Sequence, residues 1–171
     1  MALHVELLGD RHRRAGFNCG EPALDAFLKN LAWQQQRRNF GRTYVALADD
    51  GLTVVGFVTV SAGQVATADM PAGLKLPRYP VPVMRVGRLA VDSRHRARGI
   101  GKELLRFALG LAQEWSAHVG IYGVAVEARH VAARDFYLRL GFLAGRDDPL
   151  HLILPLATLG RATTSGQDAP R

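Results

Sequence analysis

The 171-residue sequence has a single cysteine, Cys19, so no disulfide can form within the chain. No apolar stretch approaches the roughly 20 residues that a membrane-spanning helix needs. Residues 1–10 lack the basic start and apolar run of a signal peptide, and the six histidines show no metal-site spacing. We therefore expect a cytoplasmic protein with no membrane segment and no bound metal.

Acidic residues are outnumbered, because 15 Asp and Glu face 22 Lys and Arg and leave a formal net charge of +7. Hydrophobic residues still make up 48% of the chain and charged residues 22%, which is typical of a globular protein. The basic excess favours a polyanionic ligand, either a nucleic acid or a phosphorylated cofactor. Length and composition predict one domain over residues 1–160 and a flexible tail over residues 161–171.

Hydrophobic periodicity and turn residues predict alternating strands and helices after an initial hairpin. The first helix covers residues 22–31, with Leu24, Phe27, Leu28 and Leu31 on its apolar face. The remaining predictions are hairpin strands at 43–48 and 54–61, extended chain at 71–82, strands at 84–91, 121–127 and 150–154, and helices at 101–116 and 131–140. This order predicts an α/β protein with a mixed sheet packed by helices.

The stretch from Arg88 to Lys102 runs from a strand through a basic turn into a helix. Gly99 and Gly101 let the backbone approach a ligand closely, and the helix start favours an anion. The stretch is neither a P-loop nor a dinucleotide fingerprint, since no Gly-Lys-Ser/Thr follows Gly99 at the required distance and position 104 is Leu. The turn favours a different phosphorylated cofactor, and the alternative is a solvated basic loop with two turn glycines.

Two motifs resemble those of the GNAT acetyltransferases. Arg96-x-x-Gly99-x-Gly101 after a strand resembles their acetyl-CoA motif, and Phe136-Tyr137 before Leu140-Gly141-Phe142 resembles their second signature. The resemblance covers residues 3–156 and implies a mixed, mostly antiparallel central sheet flanked by helices. It also implies acetyl-CoA as cofactor, with pantetheine on the 89–91 backbone and pyrophosphate on the 96–102 N–H groups. The implied cofactor residues are Leu89, Ala90, Val91, Arg96, Ala97, Arg98, Gly99, Ile100, Gly101, Lys102 and Phe136.

A narrower resemblance rests on the strings at residues 17–20, 42–46, 76–83 and 87–92. Taken together, they look like the acetyltransferase toxins of bacterial type II toxin–antitoxin modules. This resemblance implies acetylation of the α-amino group of aminoacyl-tRNA, which stops translation. It also implies a homodimer and a small ribbon-helix-helix antitoxin as partner.

The transfer reaction needs proximity, oxyanion donors and an acid for the leaving sulfur. The resemblance makes Tyr137 that acid, whereas an isolated Phe-Tyr pair would more often be core packing. The backbone N–H of Val91 is the expected oxyanion donor. No general base stands out, since Glu127 and Asp92 are conceivable but lie at strand ends, where acids are usually solvated. An α-amine with a pKa near 8 needs little assistance at pH 7, which agrees with aminoacyl-tRNA as acceptor.

Basic clusters outside the turn are candidates for contact with the tRNA backbone. The predicted substrate-binding residues are Arg37, Arg38, Arg42, Arg78, Arg85 and Arg88. The cluster from Arg11 to Arg14 is a further candidate, and the alternative for every cluster is an ordinary surface paired with local acids. Many family members carry an Asn after the 121–127 strand; here no Asn follows Asn39, and Arg134 is a candidate replacement. Cys19 is expected to be a structural thiol, although the nearby helix start could lower its pKa.

Two other functions are compatible with the sequence. The protein could instead acetylate a protein lysine or a small amine. A function of a different class is a non-catalytic module that binds CoA or RNA.

Overall fold

The computed structural model describes residues 3–159, so the tail predicted at 161–171 lies outside the described residues. The described chain forms two compact units. The first contains residues 3–61 and 86–110, and the second contains residues 62–85 and 111–159. Within residues 3–159, no helix is both long and apolar enough to cross a membrane.

Seven strands of the described chain form one sheet in the order β1-β2-β3-β4-β5-β7-β6. Strand β2 pairs antiparallel with β1 and β3, and β7 pairs antiparallel with β5 and β6. The predicted α/β class with a mixed, mostly antiparallel sheet is confirmed. The strands are β1 His4–Leu7, β2 Arg42–Leu47, β3 Val54–Val65, β4 Val81–Val91, β5 Gly123–Glu127, β6 Leu143–Ala144 and β7 His151–Pro155.

Two short strands were absent from the sequence prediction. Strand β1 has four residues and β6 has two, so neither carries enough alternation to be recognised. Strand β4 begins at Val81 rather than at residue 84. The exposed Pro82 is tolerated because it is the second residue of the strand. In β3, the first seven residues are buried on both faces and the rest alternate, as in a strand that passes from deep core to a half-covered position.

The helices are α1 Pro22–Ala26, α2 Ala32–Arg37, α3 Ile100–Ser116 and α4 Val131–Arg139, with 3₁₀ turns at Thr67–Asp69 and Ser93–His95. A π-helical turn, Phe27–Leu31, joins α1 to α2. The prediction that Leu31 lies on the buried face is wrong, since Leu31 is 44% exposed and Ala32 is 1% exposed. The π turn inserts one residue into the helical repeat and thereby rotates the following residues away from the predicted face.

The core of the first unit surrounds Phe57 on β3. The Phe17 ring meets the Phe57 ring edge-on at 5.5 Å, and the Phe27 ring stacks on it at 6.2 Å. Gly56, next to Phe57, faces the first turn of α3. A Cβ at Gly56 would lie 3.0 Å from side-chain atoms of Ile100 and Leu104, so a larger residue would push α3 off the sheet.

The second unit has a separate core built on β5 and β7. Met70, Val81, Val83, Ala125 and Ile153 are buried together, with Tyr122 packed against them. The two strands run antiparallel from Gly123 opposite Pro155 to Glu127 opposite His151. This pairing fixes which side chains of β5 and β7 share a face.

Candidate active site

The turn between β4 and α3 is organised by a buried carboxylate. Asp92 is 1% exposed, and its side chain accepts hydrogen bonds from the backbone N–H groups of Asn18 (3.1 Å) and Arg94 (3.0 Å). The Arg94 guanidinium adds contacts at 3.0 and 3.2 Å. Burial alone would raise the pKa of Asp92, but these donors outweigh it and hold the pKa well below its usual range. Asp92 is therefore an anchor for the turn and not a general base.

The loop at residues 17–20 is tied to this turn from the other side. The backbone N–H and hydroxyl of Ser93 both donate to the Asn18 carbonyl, at 2.8 and 2.9 Å. The Arg96 guanidinium donates to the Cys19 carbonyl at 2.6 Å. Residues 17–20 are one of the sequence strings that carry the toxin resemblance. In the structure, their carbonyl groups accept hydrogen bonds that hold residues 92–96 in place.

The backbone at the start of α3 has the conformation of an anion-binding turn. Ala97 has φ +63° and Gly99 has φ +76°, and α3 begins at the next residue, Ile100. A left-handed conformation is costly for alanine, so Ala97 is a strained position, and it directly follows Arg96, whose guanidinium is held by the Cys19 carbonyl. Gly99 is exposed, and a helix start with free N–H groups favours a negatively charged ligand.

The basic side chains of the turn divide into engaged and open ones. Arg94 is paired with Asp92, and Arg96 is held by Cys19, so both serve the architecture of the turn. Arg98 and Lys102 are exposed and line an open cleft of the first unit together with Gly99. Arg98 and Lys102 are therefore the basic side chains of the turn that face this cleft without a structural ion pair in the described residues.

Tyr137 lies on α4 in the second unit, whereas residues 89–102 belong to the first. Its side chain packs between the rings of Phe136 and Phe142, at centroid distances of 5.2 and 5.4 Å. Burial raises the pKa of Tyr137 to about 12. The phenol therefore stays protonated throughout the neutral range, as a proton donor must.

Helix α4 also carries a buried donor with no partner in residues 3–159. The Nε of Arg134 is buried and makes no hydrogen bond within the described chain, while its Nη2 contacts Asp135 at 3.4 Å. The helix is capped by His130, whose Nδ1 accepts from the Ala133 N–H at 3.1 Å. A buried donor without a partner is unusual. That Arg134 replaces the missing Asn stays a prediction.

Cys19 is buried beside the turn. Burial raises the pKa of its thiol to about 11, and the side-chain hydrogen bond with Asp25 acts in the same direction. The expectation that the adjacent helix start could lower this pKa is wrong, because desolvation dominates. The protonated thiol donates weakly to the Glu21 carbonyl at 3.6 Å, in agreement with a structural role.

The predicted substrate arginines fall into separate groups. Arg37, Arg38 and Arg42 lie together where α2 passes into β2 of the first unit, while Arg78 and Arg85 belong to the second unit. Arg38 stacks over the ring of Phe40 at 4.8 Å, and the Arg42 guanidinium donates to the Gln36 carbonyl at 2.9 Å. The 37–42 segment thus presents a partly pre-organised basic surface around an exposed aromatic ring.

Arg88 lies on β4, immediately before the predicted cofactor residues 89–91 of the same strand. Its guanidinium carbon sits 3.7 Å above the centroid of the Phe27 ring, within the π turn. Such a cation–π contact restricts the side chain to one orientation. The Phe27 partner was not apparent from sequence, because residues 27 and 88 are joined only through the fold.

A second basic surface lies at the predicted Arg11–Arg14 cluster. Arg13, Arg14, Lys29 and Arg94 line one open cleft of the first unit. Arg11 is not part of it, since it pairs with Glu6. Glu6 also accepts from the buried His12 at 2.5 Å, so the candidate Arg11 and the neighbouring His12 both fix β1.

Across residues 3–159, no group of His, Cys, Asp and Glu side chains is arranged to hold a metal ion.

Comparisons with known proteins identify one protein family. Residues 7–142 match the acetyltransferase (GNAT) family. A relative from Mycobacterium tuberculosis (strain ATCC 25618 / H37Rv), named tRNA-acetylating toxin, is 37% identical over 149 residues. That similarity covers 86% of this chain and 88% of the relative.

Solved structures give the same result. AtaT complexed with acetyl-methionyl-tRNAfMet is 28% identical with a TM-score of 0.88, covering 95% of this chain and 99% of that one. A tyrosine-to-phenylalanine mutant of AtaT bound to the C-terminus of the antitoxin AtaR and acetyl-CoA is 27% identical. Its TM-score is 0.80, over 95% of this chain and 98% of that one. By motif, fold and sequence similarity, this chain belongs to the GNAT family of acetyltransferases.

Proposed function

We propose that this protein transfers the acetyl group of acetyl-CoA to the α-amino group of aminoacyl-tRNA and acts as a toxin by blocking translation. The observation that carries the proposal is its 37% identity, over 86% of the chain, to a tRNA-acetylating toxin. The complex of AtaT with acetyl-methionyl-tRNAfMet supports the same acceptor, since this chain shares the AtaT fold at a TM-score of 0.88.

The turn before α3 fits the phosphates of acetyl-CoA. Ala97 and Gly99 hold the left-handed conformations that turn backbone N–H groups towards an anion at a helix start. The N–H groups of residues 96–102 hold the pyrophosphate, and Arg98 and Lys102 supply positive charge. The backbone of 89–91 pairs with the pantetheine, while Phe136 packs on the cofactor. Arg134 on α4 replaces the contact that the missing Asn makes in other family members.

Acetyl-CoA supplies an activated acetyl thioester. The neutral α-amine attacks the thioester carbonyl carbon, the C–N bond forms, and the C–S bond breaks. The Val91 N–H stabilises the negative charge that develops on the carbonyl oxygen. Because an α-amine has a pKa near 8, about a tenth of it is neutral at pH 7, against under a thousandth of a lysine amine with a pKa near 10.4, and this neutral fraction attacks without a dedicated base.

Tyr137 donates its phenolic proton to the sulfur as the C–S bond breaks. The proton lost by the amine restores the phenol, so the products are N-acetyl-aminoacyl-tRNA and CoA with a free thiol. Its pKa of about 12 keeps the phenol protonated before every turnover. The aromatic packing by Phe136 and Phe142 holds the ring in a single position.

Acceptor binding uses the basic surface. Arg37, Arg38 and Arg42 contact tRNA phosphates from the end of α2, and Arg88 contributes a guanidinium already oriented by Phe27. Arg78 and Arg85 supply the corresponding charge on the second unit. Phosphate contacts of this kind provide affinity without reading sequence, and each weakens as salt rises.

We further propose that an antitoxin of the ribbon-helix-helix type neutralises the protein, that it acts as a homodimer, and that it works in the cytoplasm. The AtaT structure with the C-terminus of the antitoxin AtaR supports a protein partner. Co-purification with the product of a neighbouring small reading frame, and the mass of the assembly, test these points.

The test mixes purified protein, labelled acetyl-CoA and charged tRNA, with uncharged tRNA, a lysine-containing protein and a small amine as alternative acceptors. We expect label on the aminoacyl end of charged tRNA only. Label on protein or small amine instead would replace the proposed acceptor. Binding of CoA or RNA without transfer to any acceptor would reduce the protein to a binding module.

A further inference from the structure

The second unit contains a cavity beside Arg85, one of the proposed tRNA contacts. Its floor is apolar, formed by Val65, Met70, Ala125 and Ile153, which also belong to the core of this unit. Its rim is polar and charged. The lining residues at the rim are Gln64, Asp69, Arg85, Glu127 and His151. An apolar floor beneath a charged rim is typical of a ligand site rather than of a packing defect.

Two glycines allow close packing beside this cavity. A Cβ at Gly63 would lie 2.6 Å from the Arg85 Cδ, so the Arg85 side chain crosses the space that any larger residue would fill. A Cβ at Gly145 would lie 2.9 Å from the Asp69 carbonyl and 3.2 Å from the His151 carbonyl. The absence of side chains at 63 and 145 therefore sets where Arg85 and the 145–151 loop can lie.

The rim carries both signs of charge at defined positions. Glu127 and His151 stand opposite each other on β5 and β7, and the His151 Nε2 lies 3.4 Å from a Glu127 carboxylate oxygen. The Glu127 side chain is 67% exposed, so most of its carboxylate surface is open to a further donor. Arg85 supplies the positive charge that lines the same cavity.

We infer that this cavity seats the aminoacyl end of the acceptor, with the protonated α-amino group on Glu127 before it loses its proton, the amino-acid side chain on the apolar floor, and the terminal phosphate at Arg85. The inference rests on the proposed function and names the residues that select the acceptor. An aminoacyl ester joins an amine, a side chain and, one nucleoside away, a phosphate. The cavity offers a carboxylate, an apolar surface and a guanidinium for these three groups.

The charges argue against other occupants. A free phosphate or a nucleotide without an amine would meet the carboxylates of Asp69 and Glu127 as well as Arg85. An acidic amino-acid side chain would meet the same repulsion and an apolar floor that cannot hydrate it. The cavity therefore favours apolar over acidic amino acids on the tRNA.

Two glutamates provide the first test. Glu127→Gln keeps the size of the side chain and removes its charge, and Glu114→Gln does the same at an exposed position of α3 outside the cavity. We expect Glu127→Gln to raise KM for charged tRNA about tenfold, the effect of losing one charge-assisted hydrogen bond. KM for acetyl-CoA and the melting temperature should match those of Glu114→Gln. An unchanged KM for charged tRNA would overturn the inference.

A panel of tRNAs charged with different amino acids provides the second test. We expect acceptors with apolar side chains to exceed those with Asp or Glu by at least tenfold in kcat/KM. Val65→Thr, which adds a hydroxyl to the half-buried floor, should narrow this ratio several-fold while leaving KM for acetyl-CoA unchanged. Equal rates for apolar and acidic amino acids would overturn the inference but leave tRNA acetylation standing. Failure of every charged tRNA with wild-type protein would overturn the proposed function itself.

Discussion

The turn of the first unit and the cavity of the second unit are built in different ways. In the turn, the proposed phosphate binding depends on backbone conformation, and Asp92, Asn18 and Arg96 hold that backbone in shape. In the cavity, the inferred acceptor binding depends on side chains from separate segments, beside which the glycines at 63 and 145 allow close packing. A phosphate group common to all reactions can be held by backbone, whereas selection among acceptors requires side chains.

This difference also determines which substitutions each region tolerates. Substitutions on the cavity rim alter charge without moving a strand, since Glu127 and Arg85 are exposed. Substitutions in the turn act through a buried carboxylate and left-handed residues, where the backbone itself must move. We therefore expect turn variants to lose stability together with cofactor binding, and cavity variants to lose acceptor binding alone.

The largest effect is expected at Tyr137. Tyr137→Phe removes the proton donor while keeping the ring that packs between Phe136 and Phe142. Loss of general acid catalysis should lower kcat by about 100-fold or more, with little change in KM for acetyl-CoA. Steady-state kinetics check this.

The matched control is Tyr44→Phe, on β2 of the first unit, where the ring packs on Phe107 at 4.8 Å. This control should retain nearly full kcat. If Tyr137→Phe turned over at the wild-type rate, Tyr137 would have a packing role only. The second unit would then contribute acceptor binding and not acid catalysis.

The next effect is one of stability, at Asp92. Asp92→Asn cannot accept all the hydrogen bonds that the buried carboxylate receives, and we expect the free energy of unfolding to fall by about 2–3 kcal/mol. Denaturant titration measures the loss. Asp147→Asn, at an exposed position, should be neutral.

The same residue gives a pH dependence. The folded pKa of Asp92 is depressed, so its contribution is present above the unfolded value of about 3.9 and is lost as pH falls below it. Asp50, whose pKa is lowered to about 2 by hydrogen bonds with Thr53, loses its own stabilising contribution over the same pH range in the wild type and in Asp92→Asn. Asp92→Asn should therefore flatten the acid decline only in part. An unchanged profile would mean that Asp92 does not anchor the turn.

A glycine pair probes the turn more gently. Gly99→Ala forces a side chain into φ +76° and should cost about 1 kcal/mol of stability and raise KM for acetyl-CoA several-fold. Gly110→Ala, inside α3 with open space around it, should instead stabilise the protein by about 0.5–1 kcal/mol and leave KM unchanged. Equal effects of the two changes would remove the special role of the turn.

The smallest effect concerns salt. Arg37→Ala should raise KM for charged tRNA a few-fold at low salt and reduce the slope of log affinity against log salt by about one. Arg139→Ala, at an exposed position of α4, serves as control and should leave the slope unchanged. An unchanged slope in both variants would mean that the 37–42 segment does not contact the tRNA backbone.

The turn could be predicted from sequence because its parts are contiguous. Strand, glycines and helix start follow one another from Leu89 to Lys102, so the strand–turn–helix arrangement is legible in the sequence, and the structure adds the left-handed conformations of Ala97 and Gly99. The anchoring role of Asp92 could not be predicted, since its partner Asn18 is 74 residues away. A strand-end carboxylate has no signal in sequence that distinguishes an anchor from a base.

The cavity could not be predicted because it is assembled from five segments. Its lining residues come from 64–71, 85, 125–127, 145 and 151–153, and only Arg85 and Glu127 stood out as candidates. The displaced helical face at Leu31 has a related cause, since a π turn adds one residue without a local signature. Periodicity predicts elements well where their repeat is regular and fails where one residue is inserted.

The most direct measurement identifies the acetylated atom. Charged tRNA is incubated with the wild-type protein and acetyl-CoA, the terminal aminoacyl-adenosine is released by nuclease, and its mass and fragmentation are recorded. The account predicts an aminoacyl-adenosine that carries one added acetyl group on its α-nitrogen, formed at least about 100-fold more slowly when Tyr137→Phe replaces the wild type. An unmodified aminoacyl-adenosine from an enzyme that still consumes acetyl-CoA would contradict it.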